Sequence, residues 1–309
     1  MMELLRDLIF DYTLRNVALG SALLGVVSGV LGTFAVLRRQ GLLGDALAHA
    51  ALPGICLAFL LTGLKTPLVL MLGAALSGWL GTYLLLHLVR QTPLGEDAVL
   101  GILLSVFFGF GIVLLTFIER TGDANQAGLD RYLFGQAATL VEEHVVTMAV
   151  LGLIALLVVA VLYKEFKLIT FDPGFAASVG LGRPAVSLLL TSLVVVAIVI
   201  GLQTVGVVLM AAMLVGPAAA ARQWTNRLSR MLLLAALFGA AAGVSGALLS
   251  VSVERLPTGP MIILSLTAIV LVSLAFGSAR GLVWEWWRGR RRALPTPDLA
   301  MFQEPGAPG

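Results

Sequence analysis

Asp45 and His49 stand four residues apart in the run Gly44-Asp45-Ala46-Leu47-Ala48-His49-Ala50. On a helix they share one face, about 6 Å apart along the axis. An aspartate inside a membrane span costs on the order of 3 kcal/mol on insertion scales, so it normally lines a polar path. A carboxylate oxygen beside an imidazole nitrogen suits Mn²⁺, Fe²⁺ or Zn²⁺, and it is a poor donor set for Cu⁺ or Ca²⁺. Pro53, four residues after His49, has no N–H to donate to the His49 carbonyl, which becomes a third candidate ligand. The same pair also suits a hydrogen bond that fastens helices together with no ion, and spacing alone does not choose. Cys56 lies on nearly the same face but about 10 Å further along the axis, too far to share an ion with His49. A buried thiol of this kind is usually a small hydrophobe. His87 and His144 fall at span ends, where polar groups are tolerated, and read as interfacial residues.

The elements that must hold this pair are membrane helices. Of 309 residues, 59% are hydrophobic and only 12% charged, about half the charge of a soluble domain, and the mean hydropathy is +1.00. That excludes a water-soluble enzyme, a disordered chain and a secreted disulfide scaffold. The single cysteine excludes an intrachain disulfide and any multi-thiolate metal site. Nine stretches reach the roughly 20 apolar residues of a span: about 14–37, 42–62, 67–89, 98–118, 144–163, 185–201, 205–221, 230–252 and 259–277. Only Leu202, Gln203 and Thr204 separate 185–201 from 205–221, as in a re-entrant turn or a broken helix. The expectation is an all-α integral membrane fold of eight to nine spans. An amphipathic segment precedes it at 1–13, the transmembrane domain covers 14–280, and a basic, Pro-rich cytosolic tail follows at 281–309. Met1–Arg15 lacks a signal peptide's apolar core and cleavage site.

Basic residues set the orientation. With nine spans, 14 of the 20 Lys and Arg fall in one set of connections and 6 in the other. The richer side is the cytosol, so the N-terminus lies outside and the C-terminus inside. Small residues recur every four positions at Gly25/Gly29, Gly73/Ser77/Gly81, Gly101/Ser105/Gly109 and Gly239/Gly243, stripes along which helices approach closely in lipid.

Two connections carry more pattern than a linker needs. The outer segment Glu119–Glu143 holds five acidic residues, a solvated loop or a gatherer of cations. The inner segment contains Phe171-Asp172-Pro173-Gly174-Phe175-Ala176-Ala177-Ser178-Val179-Gly180. Asp172 suits an N-cap, Pro173 the first helical position and Gly180 a left-handed exit. This predicts a helix of about two turns showing Phe175 and Val179 on one face. Such a helix either docks in a partner's groove or lies on the lipid headgroups. Gly216-Pro217 predicts an interruption of its span, freeing the Met213 carbonyl toward a cavity. The tail cluster Arg288–Arg292, with Trp284, Trp286 and Trp287, reads as a headgroup anchor. No Gly-x-x-x-x-Gly-Lys-Ser/Thr run occurs, so any ATP that drives this protein is hydrolysed by another polypeptide.

Four ordered blocks carry a resemblance. LRRQGLLGDALAHAALPG at Leu37–Gly54 resembles the signature of bacterial ABC-importer permeases for manganese, zinc and iron(II). GLDRYLFGQAATL at Gly128–Leu140, LITFDPGFAASVGL at Leu168–Leu181 and GLQTVGVVLMAAMLVGPAAAARQWTN at Gly201–Asn226 are similar to the same family in the same order. The resemblance covers about 14–280. It implies a type II importer permease, multi-pass in the bacterial inner membrane, that pairs with an identical or paralogous second permease subunit. It further implies ABC ATPase subunits below and an extracellular metal-binding protein above. Asp45 and His49 match the family's intramembrane metal pair, and Asp172–Gly180, with Phe175 and Val179, its ATPase-coupling helix. The family's further ligands from a later span have no counterpart among 185–277, where no His or acidic residue occurs before Glu254.

The function so expected is ATP-driven import of a divalent transition metal, manganese first, then zinc or iron(II). The chain carries no catalytic residues and no permanent cofactor, ATP is bound by the partner, and lipid but no nucleic acid is contacted. The alternative is a secondary metal carrier coupled to an ion gradient, which would want acidic residues within spans of both halves. An intramembrane metalloprotease would want a His-Glu-x-x-His helix, and none exists.

Overall fold

Leu, Val, Ala and Gly runs offer a backbone in lipid no side-chain hydrogen-bond partners, so such segments must satisfy their amides within helices. The computed structural model describes residues 11–64, 66–120, 135, 140–202, 204–252 and 256–283. They form α1 (Tyr12–Leu37), α2 (Leu43–Thr62), α3 (Pro67–Gln91), α4 (Glu96–Arg120), α5 (Glu142–Val161), α6 (Tyr163–Phe171), α7 (Pro173–Ser178), α8 (Arg183–Leu202), α9 (Val207–Trp224), α10 (Leu228–Ser252) and α11 (Thr258–Phe276). Among the described residues, all but α6 and α7 are long and apolar enough to cross a membrane, giving nine spans. The N-terminal ten residues, the basic tail cluster with its tryptophans, Gln203, Glu254 and most of the acidic outer segment lie outside the described residues.

Local chemistry explains where helices begin and stop. The Asp11 carboxylate accepts from the Leu14 amide at 2.8 Å, capping α1. Gly63 ends α2 with φ +66°, a conformation that costs a glycine nothing. Between α8 and α9 the amides of Thr204, Val205 and Gly206 all turn back on the Gly201 carbonyl. The pair is therefore two helices joined by a tight turn, and the described residues hold nine spans.

The structure departs from sequence expectation at three elements. Residues 163–171, read as part of a loop, form α6, whose Phe166 and Ile169 are buried and whose Phe166 ring meets the Phe34 ring edge-on at 5.8 Å. At Pro217 the expected interruption is absent. Helix α9 runs unbroken through it, because packing on both sides holds the helix where one hydrogen bond is lost: Pro217 is buried, and a Cβ on Gly216 would meet the Leu266 side chain. The third small-residue stripe also differs, since Gly101 and Gly109 have open space around them and Ser105 is exposed.

The other stripes build the bundle. The most extensive contact among the described helices joins α1 to α10, where Gly25 and Gly29 lie against the backbone of Gly239 and Ala235. Gly54 of α2 meets Gly73 of α3 in the same way, and beside it the Ser77 hydroxyl donates to the Ala50 carbonyl at 2.6 Å. Most of α1 and α2 is buried inside the bundle, whereas most of α5 and α11 faces outward. The pair-bearing helix α2 thus sits at the centre of the bundle, with α3, α4 and α9 against it.

Candidate functional site

Helix α2 starts immediately before the pair, and that start is held from two directions. α1 ends in a reversed turn in which Arg39, at φ +62°, takes the left-handed position usually given to glycine. The Gln40 amide donates back to the Ala35 carbonyl at 2.9 Å, closing the turn. The side chain of buried Gln40 donates through Nε2 to Glu96 Oε1 at 2.7 Å, pinning the α1–α2 connection to the start of α4.

Asp45 then lies in the first turn of α2 and His49 one turn on. His49 Nε2 stands 3.4 Å from Asp45 Oδ1, with the imidazole 12% and the carboxylate 34% exposed. This gap exceeds the roughly 2.7–2.9 Å of a charge-assisted hydrogen bond. It is close to the separation of about 3.4 Å that two ligands, each about 2.1 Å from one tetrahedral ion, would have. Nδ1 of His49 is buried and has no hydrogen-bond partner among the described residues. The Phe108 ring of α4 abuts the imidazole edge-on, centroids 4.7 Å apart, closing one side of the pair to water. No third His, Cys, Asp or Glu joins them among the described residues. Cys56 is buried, its thiol 3.9 Å from the Gly111 carbonyl, a packing role away from the pair. His87 is exposed and stacks on Tyr83 at 5.8 Å.

The other site predicted from sequence is α7. Its Asp172 carboxylate accepts from the Phe175 amide at 2.9 Å, Pro173 occupies the first turn, and Gly180 leaves at φ +75°. Phe175 and Val179 are 53% and 56% exposed while Ala176 is buried, so the helix is anchored by one face and offers the apolar other. Behind it opens a cleft of about 180 Å³ lined by Arg38, Glu96, Thr170, Pro173 and Ser187. Arg38 donates to the Ser187 hydroxyl at 2.8 Å there, tying the end of α1 to the helix that follows α7. Sequence reasoning missed Arg38, Gln40, Glu96 and Phe108. Arg38 and Gln40 stand in the first of the four blocks, but their partners lie on other helices and carry no spacing signal.

A helical bundle with nine spans among the described residues, a polar pair in the first two turns of a central span and a capped helix outside it, in a sequence without a nucleotide-binding loop, is the architecture of a membrane permease. The chain belongs to the ABC 3 transport family, which it matches over residues 10–277. It is 50% identical over 293 residues to the zinc transport system membrane protein TroC of Treponema pallidum, covering 95% of this chain and 98% of that one. It is 51% identical over 289 residues to the manganese transport system membrane protein MntC of Bacillus subtilis, covering 92% of this chain and 66% of that one. Among solved structures, PsaBC from Streptococcus pneumoniae in complex with Fab superposes with a TM-score of 0.80 at 28% identity, over 93% of this chain and all of the matched chain. The protein is accordingly a multi-pass permease of the bacterial inner membrane.

Proposed function

We propose that this chain is the permease subunit of an ATP-driven importer of a divalent transition metal, manganese first, with zinc or iron(II) as the other candidates. The observation that carries it is the Asp45–His49 pair: two metal-ligand side chains on one face of a central helix, 3.4 Å apart, with an imidazole nitrogen buried and unpartnered among the described residues. The names of the relatives, zinc for TroC and manganese for MntC, support the cargo class and leave its member open. The pair supplies two donors, and the remainder come from backbone carbonyls, water or the second permease subunit. Asp172, Phe175 and Val179 build the coupling helix that seats in the ATPase, and an extracellular metal-binding protein delivers the ion.

The test is radiometal uptake into vesicles carrying the assembled importer. Asp45→Asn and His49→Ala should each depress transport by more than the roughly 10–100-fold that loss of an outer-shell partner costs a metal site. Insertion and ATPase binding should be unchanged. Wild-type uptake in both variants would reduce the pair to a helix fastener and overturn the reading.

A further inference from the structure

The ends of α1, α9 and α11 bring three arginines together at one place. Gly32 of α1 lies against the Leu214 carbonyl of α9, and toward the same end Val36 and Leu37 pack on a small cluster formed by Ala218 and Ala221 of α9 with Met231 and Ala235 of α10. Arg39 and Arg222 therefore finish at the same depth. The chain leaving α11 folds back on the end of α9: the amides of Ala279 and Arg280 both donate to the Gln223 carbonyl, at 2.9 and 3.2 Å. The Ser278 hydroxyl donates to the Trp224 carbonyl at 3.1 Å. This sets Arg280 beside Arg222, and Arg222 feels the charge of both Arg280 and Arg39. Arg39 and Arg280 are exposed and Arg222 is half-buried.

Like charges gathered this closely repel and want a counter-anion. On α9, α10, α11 and the described chain after α11, residues 207–252 and 256–283, there is no Asp or Glu to supply one. Beside the cluster the surface is apolar: Phe276 and Leu282 are 57% and 65% exposed. Guanidinium groups above a bare apolar wall, at the end of the spans that carries the excess of basic residues, match one chemistry. An anionic phospholipid places its phosphate on the arginines and its acyl chains along α11.

We infer that Arg39, Arg222 and Arg280 form a binding site for an anionic phospholipid of the inner leaflet. The inference does not rest on the identity of the transported metal. The test uses the full chain, co-purified with its ATPase subunit in detergent and exposed to equal amounts of phosphatidylglycerol and phosphatidylcholine. Retained lipid is read by native mass spectrometry. The wild type should keep phosphatidylglycerol at least tenfold over phosphatidylcholine, the R222Q/R280Q variant should lose most of that preference, and R222K/R280K should keep it. R280Q alone, on an exposed side chain, decides the matter if the double variant does not assemble. Millimolar inorganic phosphate should not displace the lipid. Equal retention of both lipids, an unchanged preference in the glutamine variants, or displacement by phosphate would overturn the site. So would loss of the ATPase from R280Q with lipid preference intact, which would make the cluster a protein contact.

Discussion

At the scale of single residues, a central span tolerates Asp45 and His49 because their surroundings are arranged around them. Gln40 is part of that arrangement. Replacing it with alanine leaves the half-buried Glu96 carboxylate without its amide donor, at a cost of about 1–3 kcal/mol. Gln40→Ala should therefore lower the thermal midpoint of the purified protein and weaken, without abolishing, metal uptake. Glu96→Gln keeps a carbonyl acceptor for the Gln40 amide and should cost under about 1 kcal/mol. A midpoint that falls equally in both variants would argue against this bond as the anchor. The Asp45–His49 pair was legible because a four-residue spacing is a statement about one helix. The Phe108 ring that covers it and the Glu96 that holds its approach come from another helix, and no local spacing reports a contact made between helices.

At the scale of elements, the spans were legible to within a few residues, since length and hydropathy are what a bilayer demands of each helix separately. The short α7 was equally legible, because Asp172, Pro173 and Gly180 each act on the backbone within one turn. Helix α6 was not, as its Phe166 and Ile169 make sense only against α1 and its neighbours. Nor was the continuity of α9, for a proline's local cost was outweighed by tertiary packing. Two predictions belong here. Phe175→Asp/Val179→Asp should weaken ATPase retention roughly tenfold or more, as truncation of interface anchors does, and uncouple hydrolysis from transport. A variant that keeps its ATPase through co-purification with normal turnover would return α7 to the lipid surface. Separately, Gly25→Leu should destabilise the α1–α10 contact by about 1–3 kcal/mol of overpacking. Gly101→Leu, in open space, should be near neutral. Equal thermal midpoints for these two glycine variants would contradict the packing described.

At the scale of the whole molecule, the proposed function gives the chain a metal path and a docking helix, and its sequence has no Gly-x-x-x-x-Gly-Lys-Ser/Thr run to bind ATP. Reconstituted alone in liposomes with an internal metal-sensitive dye, it should hydrolyse no ATP and pass no Mn²⁺ or Zn²⁺ under an imposed proton or sodium gradient. Saturable, gradient-driven entry that vanishes in Asp45→Asn would make it a secondary carrier instead. The face of α1 that carries Gly25 and Gly29 has a consequence in time as well as space. Its chief partner, α10, is encoded roughly 200 residues later, which at bacterial elongation rates is on the order of 10–40 s of synthesis. Through that interval α1 waits in the bilayer with its glycine face uncovered. The interval before α10 emerges is therefore the stage of synthesis at which α1 can mispair, since its glycine face has not yet met the helix that covers it in the folded chain.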